Sequence, residues 1–225
     1  MLRSLKKFYK SSPFLCILEL CTFVLIIASA IIFKQHPLRV LPLCISLFIM
    51  FLQAQVNRYA FLLGGINSVF YAVSYFSMTL YTSAVYALAV SFPLQIITFI
   101  NWQRKTTKNR TELRRLSKLQ LIVSTALFAV AWVALFFAFK LMGSSYMILD
   151  NTASLLGMAV TILTLLRFKE YAPLNLVSGV IGLIMHITVF LNDRSQITYV
   201  IFSVYSLVCM IVTLYNIKRN EKTAE

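Results

Sequence analysis

Two carboxamides, Asn67 and Gln95, stand in sequence that gives them few partners. Both lie in 59–103, a run of 45 residues without a Lys, Arg, Asp or Glu. A side-chain amide in an apolar medium is costly unless it is paired. It offers both a donor and an acceptor, which suits a neutral polar solute. Rings accompany both amides at helical spacing: Gly64, Asn67, Tyr71 and Tyr75 form one stripe, and Phe92, Gln95, Phe99 and Trp102 another. Tyr71, Phe92 and Phe99 are read as stacking walls for an aromatic or cationic ring. A later stripe adds Asn175 and Ser178, with Gly179, Gly182 and His186. The candidate substrate-binding set is therefore Asn67, Tyr71, Phe92, Gln95, Phe99, Asn175 and Ser178. Further stripes are Asp150, Ser154, Gly157, Thr161 and Thr164, and then Tyr199, Ser203, Ser206 and Met210. The competing reading of the small and hydroxyl residues is close helix packing.

The remaining polar groups are sparse. Glu19 and Asp150 are the carboxylates in or near apolar segments. An intramembrane ionisable group is a functional candidate by default, yet Glu19 lies on a helix away from the stripes and reads as a structural or subunit contact. Asp150 is read either as the first-turn anion that caps its own helix or as an attractor for a cationic solute. His186 reads as a hydrogen-bonded core histidine, and Trp102 as an interfacial belt residue beside Arg104. Pro93 removes a backbone donor and frees a carbonyl near Ala89, giving a static kink or a hinge. Cys16, Cys21, Cys44 and Cys209 form no C-x-x-C pair, so neither a disulfide nor a metal site is expected. There is no G-x-x-x-x-G-K-[ST], H-E-x-x-H or G-x-S-x-G. The chemistry predicted is recognition without catalysis, and no cofactor or metal is expected.

The elements that must position these groups are membrane helices. The 225 residues are 60% hydrophobic, only 12% charged, and have a mean hydropathy of +0.81. A soluble domain carries about a quarter charged residues. The predicted fold is all-α and integral to the membrane, with about eight transmembrane helices over 14–33, 40–56, 60–78, 81–102, 118–140, 148–166, 172–191 and 196–217. The first segment lacks a small-x-small cleavage site and reads as a retained helix, not a signal peptide. With the N-terminus inside, 17 of the 21 Lys and Arg residues fall on the cytoplasmic side. That places both termini in the cytoplasm. The +14 charge then reads as topology and lipid-headgroup contact, not nucleic-acid binding.

The same topology makes 40–103 and 148–225 two parallel three-helix repeats, because a single linker helix in 104–147 lies between them. Residues 1–39 form an extra N-terminal helix, and the whole 1–225 is one transmembrane domain. Tyr59-Ala60 recurs as Tyr171-Ala172, and Asn101 as Asn216, each asparagine close to a basic helix end. Parallel repeats of this kind place a substrate site at their interface.

The residues Asn57-Arg58-Tyr59, Gly65-Ile66-Asn67-Ser68 and Phe92-Pro93-Leu94-Gln95-Ile96-Ile97-Thr98-Phe99-Ile100-Asn101-Trp102 resemble the PnuC family of nicotinamide riboside transporters. The resemblance spans the chain from about residue 40. It implies a full-length SWEET-like fold in a bacterial inner membrane, assembled as a homotrimer. It also implies facilitated diffusion of an unphosphorylated vitamin precursor that a cytosolic kinase then traps. By the same resemblance, Gln95 and Asn67 bind solute in the first repeat. The family's early Trp in the second repeat is missing from Tyr171-Ala172-Pro173-Leu174-Asn175-Leu176-Val177-Ser178-Gly179, which leaves the solute open. Thiamine or another vitamin or nucleoside is the rival cargo. A non-transporting membrane partner subunit, docking through the basic 104–118 loop, is the rival class.

Overall fold

The computed structural model describes residues 13–55, 57–104, 106–107, 110–111, 114–141 and 146–222. The bases Arg3, Lys6, Lys7 and Lys10, and Lys105 and Lys108 of the central loop, lie outside them. The helices are α1 (Pro13–Ile32), α2 (Pro37–Ala54), α3 (Tyr59–Ser77), α4, α5 (Lys118–Leu141), α6 (Met147–Leu165), α7 (Tyr171–Asn192) and α8 (Ile197–Lys222). Helix α4 has three parts: α4a (Tyr81–Val85), a π-helical segment (Tyr86–Ser91) and α4b (Phe92–Arg104). A short antiparallel pair, Thr106–Thr107 with Arg110–Thr111, follows α4b. Eight candidate spans have the length and hydropathy to cross a membrane, at the positions predicted from the sequence.

Three helix ends close on non-glycine residues. Lys34, Thr79 and Arg167 take positive φ of 49°, 58° and 62° just past α1, α3 and α6. Each sits beside a bond spanning five residues: Gln35 N–H to Ala30 O at 2.9 Å, Leu80 N–H to Tyr75 O at 3.0 Å, and Phe168 N–H to Leu163 O at 2.9 Å. These are Schellman-type closures, which fill carbonyls that a helix end leaves without donors.

Two prolines shape the interior. Pro42 lies inside α2 and leaves the Leu38 carbonyl without its usual donor. Ser74 Oγ from α3 supplies that bond at 3.0 Å. Pro93 is the second residue of α4b, directly after the π segment. The π turn closes with Phe92 N–H bonded to Ala87 O. The span predicted over 81–102 with a kink or hinge at Pro93 is thus three segments, with the π turn directly before the proline. A widened turn is one of the few backbone forms that absorbs a proline inside a continuous span.

Six helices close a ring. Helix α3 lies between α2 and α4, α4 packs on α6, α7 lies between α6 and α8, and α8 returns to α2. Helix α1 covers the α2–α8 seam, and α5 packs on α6. Trp132 Nε1 on α5 donates to Thr152 Oγ1 at 3.0 Å, and Asn151 Nδ2 donates back to the Trp132 carbonyl at 2.9 Å. The otherwise exposed α5 is thereby tethered to the ring.

The two seams are sealed in the same way at the end that carries the basic loops. Asn101 Nδ2 of α4b donates to Leu165 O of α6 at 2.8 Å. Asn216 Nδ2 of α8 donates to Ala54 O of α2 at 2.8 Å. At the opposite end, Thr198 Oγ1 donates to Gln35 Oε1 at 3.1 Å, and Tyr199 OH to Arg39 O at 3.2 Å. The α4–α6 seam there is tied by Asp150, which is fully buried. Its carboxylate accepts from the Thr82 and Ser83 N–H groups, both at 3.1 Å, and from Ser83 Oγ. Asp150 therefore caps α4a, not its own helix. The α4a N-cap position, Leu80, makes no side-chain cap bond, so the anion is brought by a neighbour.

Candidate functional site

The inside of the ring is unevenly filled. Toward the opposite end, Tyr71 and Tyr75, their rings stacked at 5.4 Å, pack in one core with Tyr199 and Met185. Toward the basic end a cavity of about 160 Å³ remains. Both three-helix sets contribute to its wall. From α2 and the loop after it come Gln53 and Asn57, and from α3 Phe61; the π segment gives Tyr86, and α4b gives Gln95, Thr98 and Trp102. From α6 come Gly157, Val160, Thr161 and Thr164, from α7 Tyr171 and Asn175, and from α8 Thr213. Among the described residues, the wall has four carboxamides, four threonines, four rings and no carboxylate, lysine or arginine.

Gln95 is the best-held of the carboxamides. Ser68 Oγ donates to Gly64 O at 2.9 Å, which spends its only proton. Ser91 Oγ, 2.9 Å from Ser68 Oγ, must then be the donor of that pair. This leaves Ser91 Oγ as the acceptor for Gln95 Nε2 at 2.7 Å. The second amide proton has only a long 3.4 Å contact to Ser68 Oγ. Gln95 Oε1 is buried without a partner and lies against Gly64, where a Cβ would come within 1.9 Å of it. Gly64 is thus the residue that admits the amide.

Tyr86 stands opposite. Its ring packs over Gly157, where an added Cβ would meet the hydroxyl at 3.1 Å. Thr161 Oγ1 donates to Gly157 O at 2.8 Å, so the 3.0 Å contact between Tyr86 and Thr161 has Tyr86 OH as donor. The π segment carries Tyr86 at one end and Ser91 at the other. It thereby presents a ring to α6 and a hydroxyl to Gln95 from one widened turn.

Trp102 corrects the belt reading. It is 1% exposed, lines the cavity, and donates Nε1–H to Thr164 O at 3.0 Å. Its ring meets Phe61 at a 4.7 Å centroid distance. The Asn101-Trp102 pair donates to the last carbonyls of α6, to Leu165 O and, together with Arg167 N–H at 3.1 Å, to Thr164 O. Trp102→Phe is expected to cost about 1 kcal/mol, the net worth of one hydrogen bond. A denaturation series on the purified protein checks it, and an unchanged midpoint would remove that bond from the account.

Of the residues predicted to bind substrate, Gln95 and Asn175 line this cavity. Asn67, 1% exposed, instead faces α2, donating Nδ2–H to Pro42 O at 2.9 Å and to Ser46 Oγ at 2.8 Å. Ser46 Oγ donates in turn to Tyr71 OH at 2.9 Å. Asn67 and Tyr71 therefore join α2 to α3 around the proline. Phe92 is 38% exposed on the outer side of the ring. Phe99 packs against Tyr59 at 5.8 Å, and Ser178 is half-buried outside the cavity wall. His186 Nδ1 pairs with Ser203 Oγ at 2.7 Å, the core placement expected for it. Gln53, Asn57, Tyr86, Tyr171 and the four threonines were not singled out as binding residues. The one signal for Thr161 and Thr164 was their stripe with Gly157.

A ring of six helices, in a chain with eight candidate spans among the described residues, encloses this polar and aromatic cavity; with the family match that follows, it is a multi-pass membrane transporter, not an enzyme. The sequence profile of the family described as "Nicotinamide mononucleotide transporter" matches residues 36–218, and the chain belongs to that family. Its fold is similar to a solved structure described as "Crystal structure of the Vitamin B3 transporter PnuC", at 16% identity and a TM-score of 0.69, over 90% of this chain and 92% of that one. No curated protein sequence matches the chain.

Proposed function

We propose that the cavity carries an unphosphorylated solute of the nicotinamide riboside type by facilitated diffusion. The carrying observation is the wall itself: carboxamides and hydroxyls beside four rings, with no Lys or Arg among the described lining residues. A ribose needs donors and acceptors, and a pyridinium cation favours aromatic faces. A phosphate dianion would have to be desolvated without a cation among the described lining residues to receive it. The family's description names a mononucleotide, and the similar solved protein is described by vitamin B3; the uncharged wall favours the riboside of the two.

In this reading Gln95 and Asn175 hold the sugar or amide, while Tyr86, Trp102, Phe61 and Tyr171 provide the rings. Helices α2–α4 and α6–α8 are two parallel repeats in a SWEET-like exchange, and the Pro93 turn with its π segment is the hinge that lets the first of them rock. The basic end is cytoplasmic, with both termini on that side of a bacterial inner membrane. Homotrimeric assembly and trapping by a cytosolic kinase complete the reading. Both come from the family resemblance.

Binding to the purified protein tests the cargo, with nicotinamide riboside, nicotinamide mononucleotide and thiamine compared by calorimetry. The riboside should bind at least about tenfold tighter than the mononucleotide, a gap of about 1.4 kcal/mol. Preferred binding of the mononucleotide would overturn the reading. Thiamine, also a cationic ring, is the cargo if it binds tightest. Proteoliposomes that move none of the three would favour a partner subunit.

A further inference from the structure

The cradle that holds Gln95 has a counterpart across the ring, and that counterpart holds no amide. Residues 115 apart in sequence occupy matching places. Thr98 and Thr213 both line the cavity. Asn101 and Asn216 each cap the first helix of the other three-helix set, at Leu165 and Ala54. Gly64 backs onto Gln95, and Gly179 backs onto Met210: a Cβ at Gly179 would fall 2.5 Å from Met210 Sδ and 2.9 Å from Leu207 Cδ2.

The match extends to the serine. Ser91, one helical turn before Gln95, accepts its amide. Ser206 stands one turn before Met210. It is 7% exposed and makes no hydrogen bond among the described residues. The second set thus keeps the glycine behind and the serine ahead, and places a thioether where the first set places a carboxamide. The cavity wall includes Gln95 but stops at Thr213, one turn short of Met210.

We propose that Met210 determines specificity as the apolar counterpart of Gln95. It stands one turn beyond the wall's Thr213, backed by Gly179, and offers a soft, polarisable sulfur that packs well against ring edges. Gln95 meets the hydrogen-bonding edge of the cargo and Met210 its apolar side, so the cargo is held in one orientation. The inference rests on the cavity being the cargo site.

Its test exchanges the two residues in the full chain. The variants are Gln95→Met, Met210→Gln and the double exchange. Binding of nicotinamide riboside and thiamine is measured by calorimetry, with a thermal melt of each protein. Each single variant should lose at least about tenfold in affinity for the preferred cargo, the effect of one buried polar mismatch. The double exchange should recover most of the Gln95→Met loss, because Gly179 and Ser206 can receive the amide and Met is returned opposite. Met210→Gln that melts like wild type and binds within about threefold of it overturns the inference. So does a folded double exchange no better than Gln95→Met, which decides the matter even if Met210→Gln alone does not fold. Wild-type protein that binds neither probe overturns the underlying cargo reading, a result distinct from these.

Discussion

Gln95→Ala is expected to cut solute uptake by about tenfold to a hundredfold while the protein still reaches the membrane at its normal level. That range corresponds to losing one or two desolvated hydrogen bonds. Gln95 is aimed by a chain of hydroxyls whose protons are all committed, from Ser91 to Ser68 to Gly64 O. That chain fixes the amide's orientation and leaves its second N–H with only a 3.4 Å contact. Alanine removes the donor and opens space against Gly64 but touches no helix cap and no seam, so folding should be spared. Uptake into cells or proteoliposomes, normalised to membrane protein, is the measurement. Full uptake would take Gln95 out of the path.

The second large effect is on stability. Asp150→Ala should destabilise the protein by about 3 kcal/mol, since a buried donor left unsatisfied costs about 1–3 kcal/mol and several share this carboxylate. Thr82 N–H, Ser83 N–H and Ser83 Oγ all end on it, and nothing at Leu80 replaces it as a cap. Asp150→Asn keeps an acceptor oxygen and should lose about half as much. Thermal melting of the detergent-solubilised protein separates the three. An Asp150→Ala melt within error of wild type would mean that other groups hold the start of α4a.

The sequence made the spans and the basic end readable because both follow from composition along the chain. Run length and charge placement survive any packing arrangement. The site was only half readable, because helical spacing gives a face and not the neighbour it meets. On α4b the cavity face is Gln95, Thr98 and Trp102. Phe92 and Phe99 are about 40–60° to one side of Gln95 at about 100° per residue, enough to turn them away. Asn67 and Tyr71 went to α2 because Pro42 disturbs that helix and polar groups of α3 gather there. A proline inside a span marks where a neighbour must donate, as Ser74 does to the Leu38 carbonyl that Pro42 leaves free. Asp150 and Trp102 were both misplaced because a cap supplied by another helix leaves no local pattern.

The reciprocal asparagine bonds have a consequence for how the molecule could be divided. Each three-helix set ends in a donor that only the other set's first helix can receive, and each first helix ends in a carbonyl that only the other set fills. In the language of assemblies this is an isologous interface, the kind that joins two identical subunits about a two-fold axis. If the two sets are the repeats proposed above, the chain is built like a dimer whose subunits are joined through α5. Each half caps the other's first helix, and the cavity that both line lies between them at the basic end.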